Sequence, residues 1–308
     1  MQKTLKSSIQ CSGVALHSGA ETTIRLIPAE VNTGIVFRRT DISADSESAR
    51  LIPARYDNVV DTTLCTVVAN SCGLKVATIE HLMSALWGMG IDNAIIEIDG
   101  AEVPIMDGSA EPFLFLIECA GVIEQHAPRK YIQVIKEVAF AEGEGFASIK
   151  PAGSFVLDVE IAFKDDVIGT QRGFYDFART SFKQMISRAR TFGFAKDVER
   201  MRAAGLARGG SLDNAVVVGD NGVLNEEGLR FSDEFVRHKA LDCIGDYFLA
   251  GHRILGKVTT HRPGHGLNNK LMRALLADTS AWVLIEEEST APMQDKPAAQ
   301  PQPALAVA

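Results

Sequence analysis

From Phe235 to Leu249 the chain is patterned for a helix. At roughly 100° per residue, His238, Asp242, Gly245, Asp246 and Leu249 share one side, opposite a broad apolar face of Val236, Ala240, Leu241, Cys243, Ile244, Tyr247 and Phe248. A surface helix would put Lys and Glu on its polar side; this one puts there a histidine, two aspartates and a glycine. Elsewhere the period shortens. Alternation in Thr22–Ile27 and Gly34–Arg38 predicts two strands paired antiparallel, and Thr62–Val68 reads as a third. Thr78 is placed to cap a helix running to about Trp87, ended by Gly88 and Gly90. Ala94–Ile98 and Val103–Met106 flank Asp99-Gly100 as in a hairpin. Ser109 then caps a helix from Glu111 to Ala120, closed by Gly121.

Past the charged, proline-bearing segment Glu124–Lys130 the order recurs. Strands are predicted at Ile132–Phe140, Ala147–Lys150 and Phe155–Ala162. The Phe235–Leu249 helix, a strand at Ile254–Thr259, the loop His261–Gly266 and a helix over Asn269–Asp278 follow. Between about 193 and 225 lies an added segment, with a helical piece at Asp197–Ala204 and strands flanking the turn Gly219–Gly222. The predicted fold is α+β: two similar domains, 1–126 and 127–286, each of strands plus two helices in layers, with the active site at their interface. Residues 287–308 read as a disordered tail, because four of the chain's 11 prolines fall between 292 and 303.

Composition narrows the class. With 46% hydrophobic and 23% charged residues the 308-residue chain reads as a soluble globular protein, and no run approaches the roughly 18 apolar residues of a membrane span. A net charge of -8 argues against nucleic acid as a partner. The start of the chain lacks the apolar run of a signal peptide, so the expected compartment is the cytoplasm. Five scattered cysteines (Cys11, Cys65, Cys72, Cys119 and Cys243) without a C-x-x-C pair suit a reducing compartment. Cys243 falls on the core face as a small hydrophobe, and Cys65 receives no chemistry.

The candidate chemistry comes from polar residues on helices. His238 and Asp242 stand one helical turn apart, close enough to share a metal ion. Glu80 and His81 sit in the first turn of an earlier helix that also has an apolar face. If the two helices meet, His81, His238 and Asp242 give three ligands and one open position, the catalytic pattern of zinc; Glu80, beside a ligand, is then placed to take a proton from water. His265, in a Gly-Pro-rich loop, is placed for aiming into a site, and Asp246 is the carboxylate available to hold it charged. His17 divides evenly between a supporting and a loop role. His126 and His252 read as structural, and His261 stays open. The chain holds no H-E-x-x-H, Walker loop or G-x-S-x-G motif.

Five segments, Thr78-Ile-Glu-His81, Pro104-Ile-Met-Asp-Gly-Ser109, Arg190-Thr-Phe-Gly193, His238-Lys-Ala-Leu-Asp-x-x-Gly-Asp246 and His261-Arg-Pro-Gly-His-Gly266, together resemble the signatures of the UDP-3-O-acyl-N-acetylglucosamine deacetylases, the zinc amidases of bacterial lipid A synthesis. The resemblance runs in order from about residue 3 to 285. It implies Zn2+ on His81, His238 and Asp242, Glu80 as general base, and His265 with Asp246 as the acid that protonates the leaving amine. Thr191 is implied as a hydroxyl donor to the oxyanion. A passage for the 3-O-acyl chain is implied through the added segment, along Phe192, Phe194, Val198, Met201, Leu206, Ala207, Leu212, Ala215 and Val217. Lys239 is assigned to the anionic part of a UDP-linked acylated amino sugar, and Gly245 to clearance for that substrate. A zinc deacetylase of another acetylated sugar is the alternative within enzymes; a binding module that keeps the fold is the alternative outside them. The apolar end of the tail, Pro303–Ala308, is a candidate handle for a degradative protease.

Overall fold

In the computed structural model, whose described residues are 1–43 and 46–287, the first half begins with β1 (Lys3–Leu5), β2 (Ile9–Val14), β3 (Glu21–Pro28), β4 (Ile35–Arg39) and β5 (Leu51–Pro53). Short strands β6 (Val59–Asp61), β7 (Val67–Ala69) and β8 (Lys75–Val76) lead into helix α1 (Glu80–Gly88), followed by β9 (Ala94–Ile98), α2 (Glu111–Ala120) and β10 (Val122–Glu124). The main sheet runs β2-β3-β9-β4-β5. β3 pairs antiparallel with β9, and β4 pairs parallel with it. The expected direct pairing of β3 with β4 is therefore corrected. Alternation sets which side chains face the core, not which strand is the neighbour, and β9, with Ala94, Ile96 and Ile98 buried, fits between them.

With both edges of β9 occupied, Val103–Met106 has no edge to join, and the predicted Asp99-Gly100 hairpin does not form. Residues 101–109 instead run as a loop, with single bridges from Glu102 to Ala77 and Pro104 to Ala15. Gly108 in that loop has φ +82, and a Cβ there would lie 2.1 Å from the Asn214 carbonyl oxygen, so only glycine admits the contact. Thr78 is likewise not the cap of α1. It holds φ 56 and donates its hydroxyl to Glu102 at 3.0 Å, while the helix starts at Glu80. Of the strand expected over Thr62–Val68 only Val67–Ala69 enters a sheet; residues 62–66 turn toward the site instead.

The second half comprises β11 (Lys130–Val134), β12 (Val138–Glu142), β13 (Gly145–Lys150), β14 (Phe155–Ala162), β15 (Thr170–Asp176), α3 (Phe182–Met185), β16 (Phe192–Phe194), α4 (Ala195–Ala203), β17 (Val216–Gly219) and β18 (Gly222–Val223). Helix α5 (Glu234–Phe248), β19 (Arg253–His261), α6 (His265–Ala277) and β20 (Trp282–Glu286) complete it. Its sheet contains the path β12-β13-β19-β14-β15, antiparallel at each step except the parallel β19/β14 pair. That is the order and sense of β2-β3-β9-β4-β5, with α5 before and α6 after β19 as α1 precedes and α2 follows β9. The strand expected over Ile132–Phe140 is split between β11 and β12, and β15 carries no prediction. His265, expected in a loop, is the first residue of α6, with Gly264 as its extended N-cap. Most of the tail, residues 288–308, lies outside the described residues, as does the Pro303–Ala308 segment.

Helices α1 and α5 pack against each other at the centre. The α5 polar stripe is not turned to water: His238, Asp242 and Asp246 are as buried as the apolar face. Gly245 explains how closely the two helices approach. A Cβ there would meet the Glu80 carbonyl oxygen at 2.1 Å, so the residue clears α1's backbone rather than substrate, which corrects the role assigned above. Gly245→Ala is expected to cost about 1–3 kcal/mol by overpacking. Thermal unfolding followed by circular dichroism checks this; a variant melting with the parent would refute the close approach. Among the described residues no helix is long and apolar enough to cross a membrane.

Candidate active site

Two helix starts and one helix middle bring the polar groups together. Glu80 and His81 open α1, His265 opens α6, and His238, Asp242 and Asp246 descend one face of α5 at intervals of four. Asp242 Oδ1 lies 3.2 Å from His238 Nε2 and 3.7 Å from His81 Nε2, and the two rings meet edge to face with centroids 4.9 Å apart. His238 Nδ1 lies 3.0 Å from the Ala189 carbonyl oxygen, which must accept a hydrogen bond there. The proton therefore sits on Nδ1, and the Nε2 lone pair faces Asp242.

These donors fit a divalent ion. Among the described residues Asp242 Oδ1 is buried without a hydrogen-bond donor, a costly omission for a carboxylate unless a cation meets it. One ligand atom from each of His81, His238 and Asp242 falls within 4.8 Å of the others. Two imidazoles and a carboxylate suit zinc. Asp242's other oxygen accepts from Lys239 Nζ at 2.8 Å. Burial works against the Asp242 anion, but His238, Lys239 and the other nearby cations outweigh it and hold the carboxyl below its ordinary range. Burial, with His238 beside it, pulls His81 down to about 3, leaving a neutral imidazole free to donate electrons.

Beside this triad stands an acid-base pair. Burial, opposed in part by His265, pushes Glu80 up to about 7. Burial would lower His265, but the carboxylates of Asp246 and Glu80 overcome it and hold the imidazole at about 10. His265 Nδ1 donates to Asp246 Oδ2 at 2.9 Å, and its Nε2 faces Glu80 Oε1 at 3.6 Å. A cation at the first residue of a helix opposes the helix dipole; the two carboxylates offset that cost.

Thr191 is set by a buried ion pair next to it. Arg190, 2% exposed, donates its backbone N–H and Nε to Glu234 Oε1 at 3.0 and 2.9 Å, and Glu234 is the fully buried first residue of α5. The Thr191 backbone then bridges Gly108 and Val216. The Pro104–Ser109 segment thus helps seat the Arg190–Gly193 segment, through the Thr191 N–H on the Gly108 carbonyl. Asp107 closes the unit, accepting from Ser109 and from Arg230 Nη1 at 2.7 Å.

The groups share a cavity of about 310 Å3 lined by Glu80, His81, Thr191, His238, Lys239, Asp242 and His265. Leu16, Leu64, Thr191 and Phe192 line both it and a second, mainly apolar cavity of about 660 Å3. The second cavity takes in Phe192, Phe194, Val198, Met201, Ala207, Leu212, Ala215 and Val217 of the expected passage; Leu206 is not on its wall. β16 pairs parallel with β17, a pairing unforeseen in the sequence, and both strands contribute lining residues, Phe192–Phe194 and Val217.

Several contributors escape a search for titratable residues. Thr66 donates to both Glu80 and Asp246, Asn268 donates to Asp246 at 2.8 Å, and Leu16 and Leu64 join the two cavities. Glu102 gathers the His17 and Ser18 backbone N–H groups and the hydroxyls of Ser18 and Thr78. Other candidates are not among the metal donors or the Glu80–His265 pair. His17 lines the apolar cavity with both ring nitrogens unpartnered among the described residues, while His261 pairs with Glu160 at 2.8 Å. His252 lines a separate cavity at the far end of α5. Cys65 borders the site, but burial, with Glu80 nearby, pushes its thiol up to about 12, too high for a nucleophile at neutral pH.

A buried set of metal donors, a carboxylate and an imidazolium on one cavity is the arrangement of a metal-dependent hydrolase. Residues 2–277 match the family model of the UDP-3-O-acyl N-acetylglycosamine deacetylases, and the chain belongs to that family. It is 49% identical over 292 residues to the UDP-3-O-acyl-N-acetylglucosamine deacetylase of Shewanella frigidimarina (strain NCIMB 400), covering 94% of each chain. It is 50% identical over 296 residues to the protein of the same name from Pseudomonas entomophila (strain L48), covering 95% of this chain and 96% of that one.

Proposed function

We propose that this protein hydrolyses the N-acetyl group of a UDP-linked, 3-O-acylated N-acetylglucosamine, releasing acetate, as a zinc enzyme of lipid A synthesis in the cytoplasm. The observation that carries the reading is the junction of the metal-donor cavity with the apolar cavity at Thr191 and Phe192, which suits a substrate with an amide and a long acyl chain on one sugar. The names of the relatives supply the same substrate. His81, His238 and Asp242 would hold the ion, which when bound supplies Lewis acidity to water and to the amide carbonyl.

The rest is the work of this chain's side chains. Glu80 takes a proton from the attacking water. The Thr191 hydroxyl donates to the carbonyl oxygen as negative charge builds on it. His265, held by Asp246, gives its proton to the departing nitrogen, and the acyl chain lies along Phe192, Phe194, Val198, Met201, Ala207, Leu212, Ala215 and Val217. Lys239 keeps a share of its charge for the diphosphate. Residues 1–126 and 127–286 act as two domains whose helices α1 and α5 carry the site between them, and the Pro303–Ala308 end serves as a handle for a degradative protease.

Acetate release from the UDP-linked acylated sugar, measured before chelation, after it and after zinc add-back, tests the activity. Loss on chelation and recovery with zinc are expected; turnover that ignores a strong chelator would remove the metal from the reaction.

A further inference from the structure

We propose that Thr66 is a positioning residue that couples the general base to the general acid, a role that rests on the deacetylase reading above. Thr66 is 1% exposed and ends the loop that leaves β6. Its backbone N–H donates to Glu80 Oε2 at 3.0 Å, and its carbonyl accepts from Ile79 N–H at 3.5 Å, just ahead of α1. Its hydroxyl donates to Asp246 Oδ1 at 2.6 Å, across 180 residues of sequence. A single residue thus touches both carboxylates that flank His265.

The Asp246 carboxylate shows why the hydroxyl matters. Oδ2 takes the His265 Nδ1 proton and the Asn268 amide at 2.9 and 2.8 Å. Asn268 is held in turn by the Tyr247 hydroxyl at 3.0 Å. Among the described residues, Oδ1 has Thr66 alone. Without that donor one oxygen of a buried carboxylate is left unpaired, and the group regains its partner only by rotating, which turns Oδ2 away from His265. The imidazole then loses the contact that aims Nε2 at the cavity. The backbone N–H to Glu80 survives any substitution except proline, so side-chain variants isolate the Asp246 arm.

The test uses zinc-loaded, full-length enzyme and acetate release from the UDP-linked acylated sugar. Thr66→Val, close in volume but lacking the hydroxyl, is expected to lower kcat about tenfold, or about 1.4 kcal/mol of transition-state free energy, with KM moving less than about twofold on the same scale. Thr66→Ser, which restores the hydroxyl, should recover most of that loss. In an Asp246→Asn background Thr66→Val should add almost nothing, because the residue acts through Asp246; a purely structural role would instead persist there as a second, additive loss. Thr66→Ala runs through the same cycle, so a fold lost in one variant leaves the other to decide. Thr66→Val turning over like the parent, or losing as much again in the Asp246→Asn background, overturns the proposal. A readout independent of turnover is the downfield proton resonance of His265 Nδ1–H, expected to shift in Thr66→Val and return in Thr66→Ser. If the parent releases no acetate, the deacetylase reading fails, and that resonance still decides whether Thr66 orients His265.

Discussion

Glu80→Gln is expected to lower kcat for acetate release by about 10²- to 10⁴-fold, the range for losing a general base, with bound zinc unchanged. The carboxylate is 3% exposed, and burial lifts it to about 7, the poise that favours proton abstraction near neutral pH. Its backbone donor, Thr66 N–H at 3.0 Å, serves a glutamine oxygen equally well, so the variant removes basicity and keeps shape. The triad of His81, His238 and Asp242 does not include Glu80, and metal analysis separates a lost base from a lost ion. No neighbour is placed to take over: His265 still has Asp246, the largest contribution holding its proton, when Glu80 is replaced, and Asp246 already accepts from three donors. Turnover near the parent's in zinc-replete Glu80→Gln would end Glu80's part as the base.

How much of this was legible in the sequence depends on how local the information is. Helix α5 was readable to within a residue at each end because its apolar positions repeat on its own axis; Glu234–Phe248 is what forms. Strand pairing was not, because β9 is separated in sequence from both strands it joins. Residue type only suggested the donor set, a histidine and an aspartate one turn apart on α5 being weak evidence alone; the five-segment family resemblance turned His81, His238 and Asp242 into an assignment. Thr66 had no such signal: threonine is common in loops, and its importance exists only once α1 and α5 stand on either side of it. Gly245 was misread for the same reason. Space beside one helix looks like space for a ligand until the second helix, with the Glu80 carbonyl, is placed there. The apolar cavity lies between these cases. Its residues came from the family resemblance, since periodicity alone does not separate a passage from a small core, and Leu206 shows the cost, being apolar and adjacent yet off the wall.

His265→Gln is expected to lower kcat by a similar 10²- to 10⁴-fold and, unlike Glu80→Gln, to remove the alkaline limb of the pH profile. The sign follows from the charges. Asp246 and Glu80 overcome the effect of burial and hold the imidazole at about 10, so the acid form is full at neutral pH and is lost as pH rises through that value. Glu80, raised to about 7, gains its base form as pH rises. The kcat/KM of the parent should therefore be bell-shaped, with an acid limb above the ordinary carboxylate range and an alkaline limb well above the ordinary imidazole range, both belonging to the Glu80–His265 pair. Glutamine still fills the space beside Asp246, but it has no proton to give to the departing nitrogen. In His265→Gln the residual rate should rise through the acid limb and stay level into the alkaline range. The reverse outcome, an alkaline limb unchanged at full rate, assigns the acid to another group. Asp246→Asn should bring the limb down toward the ordinary imidazole range, because it removes the largest contribution holding the proton on His265.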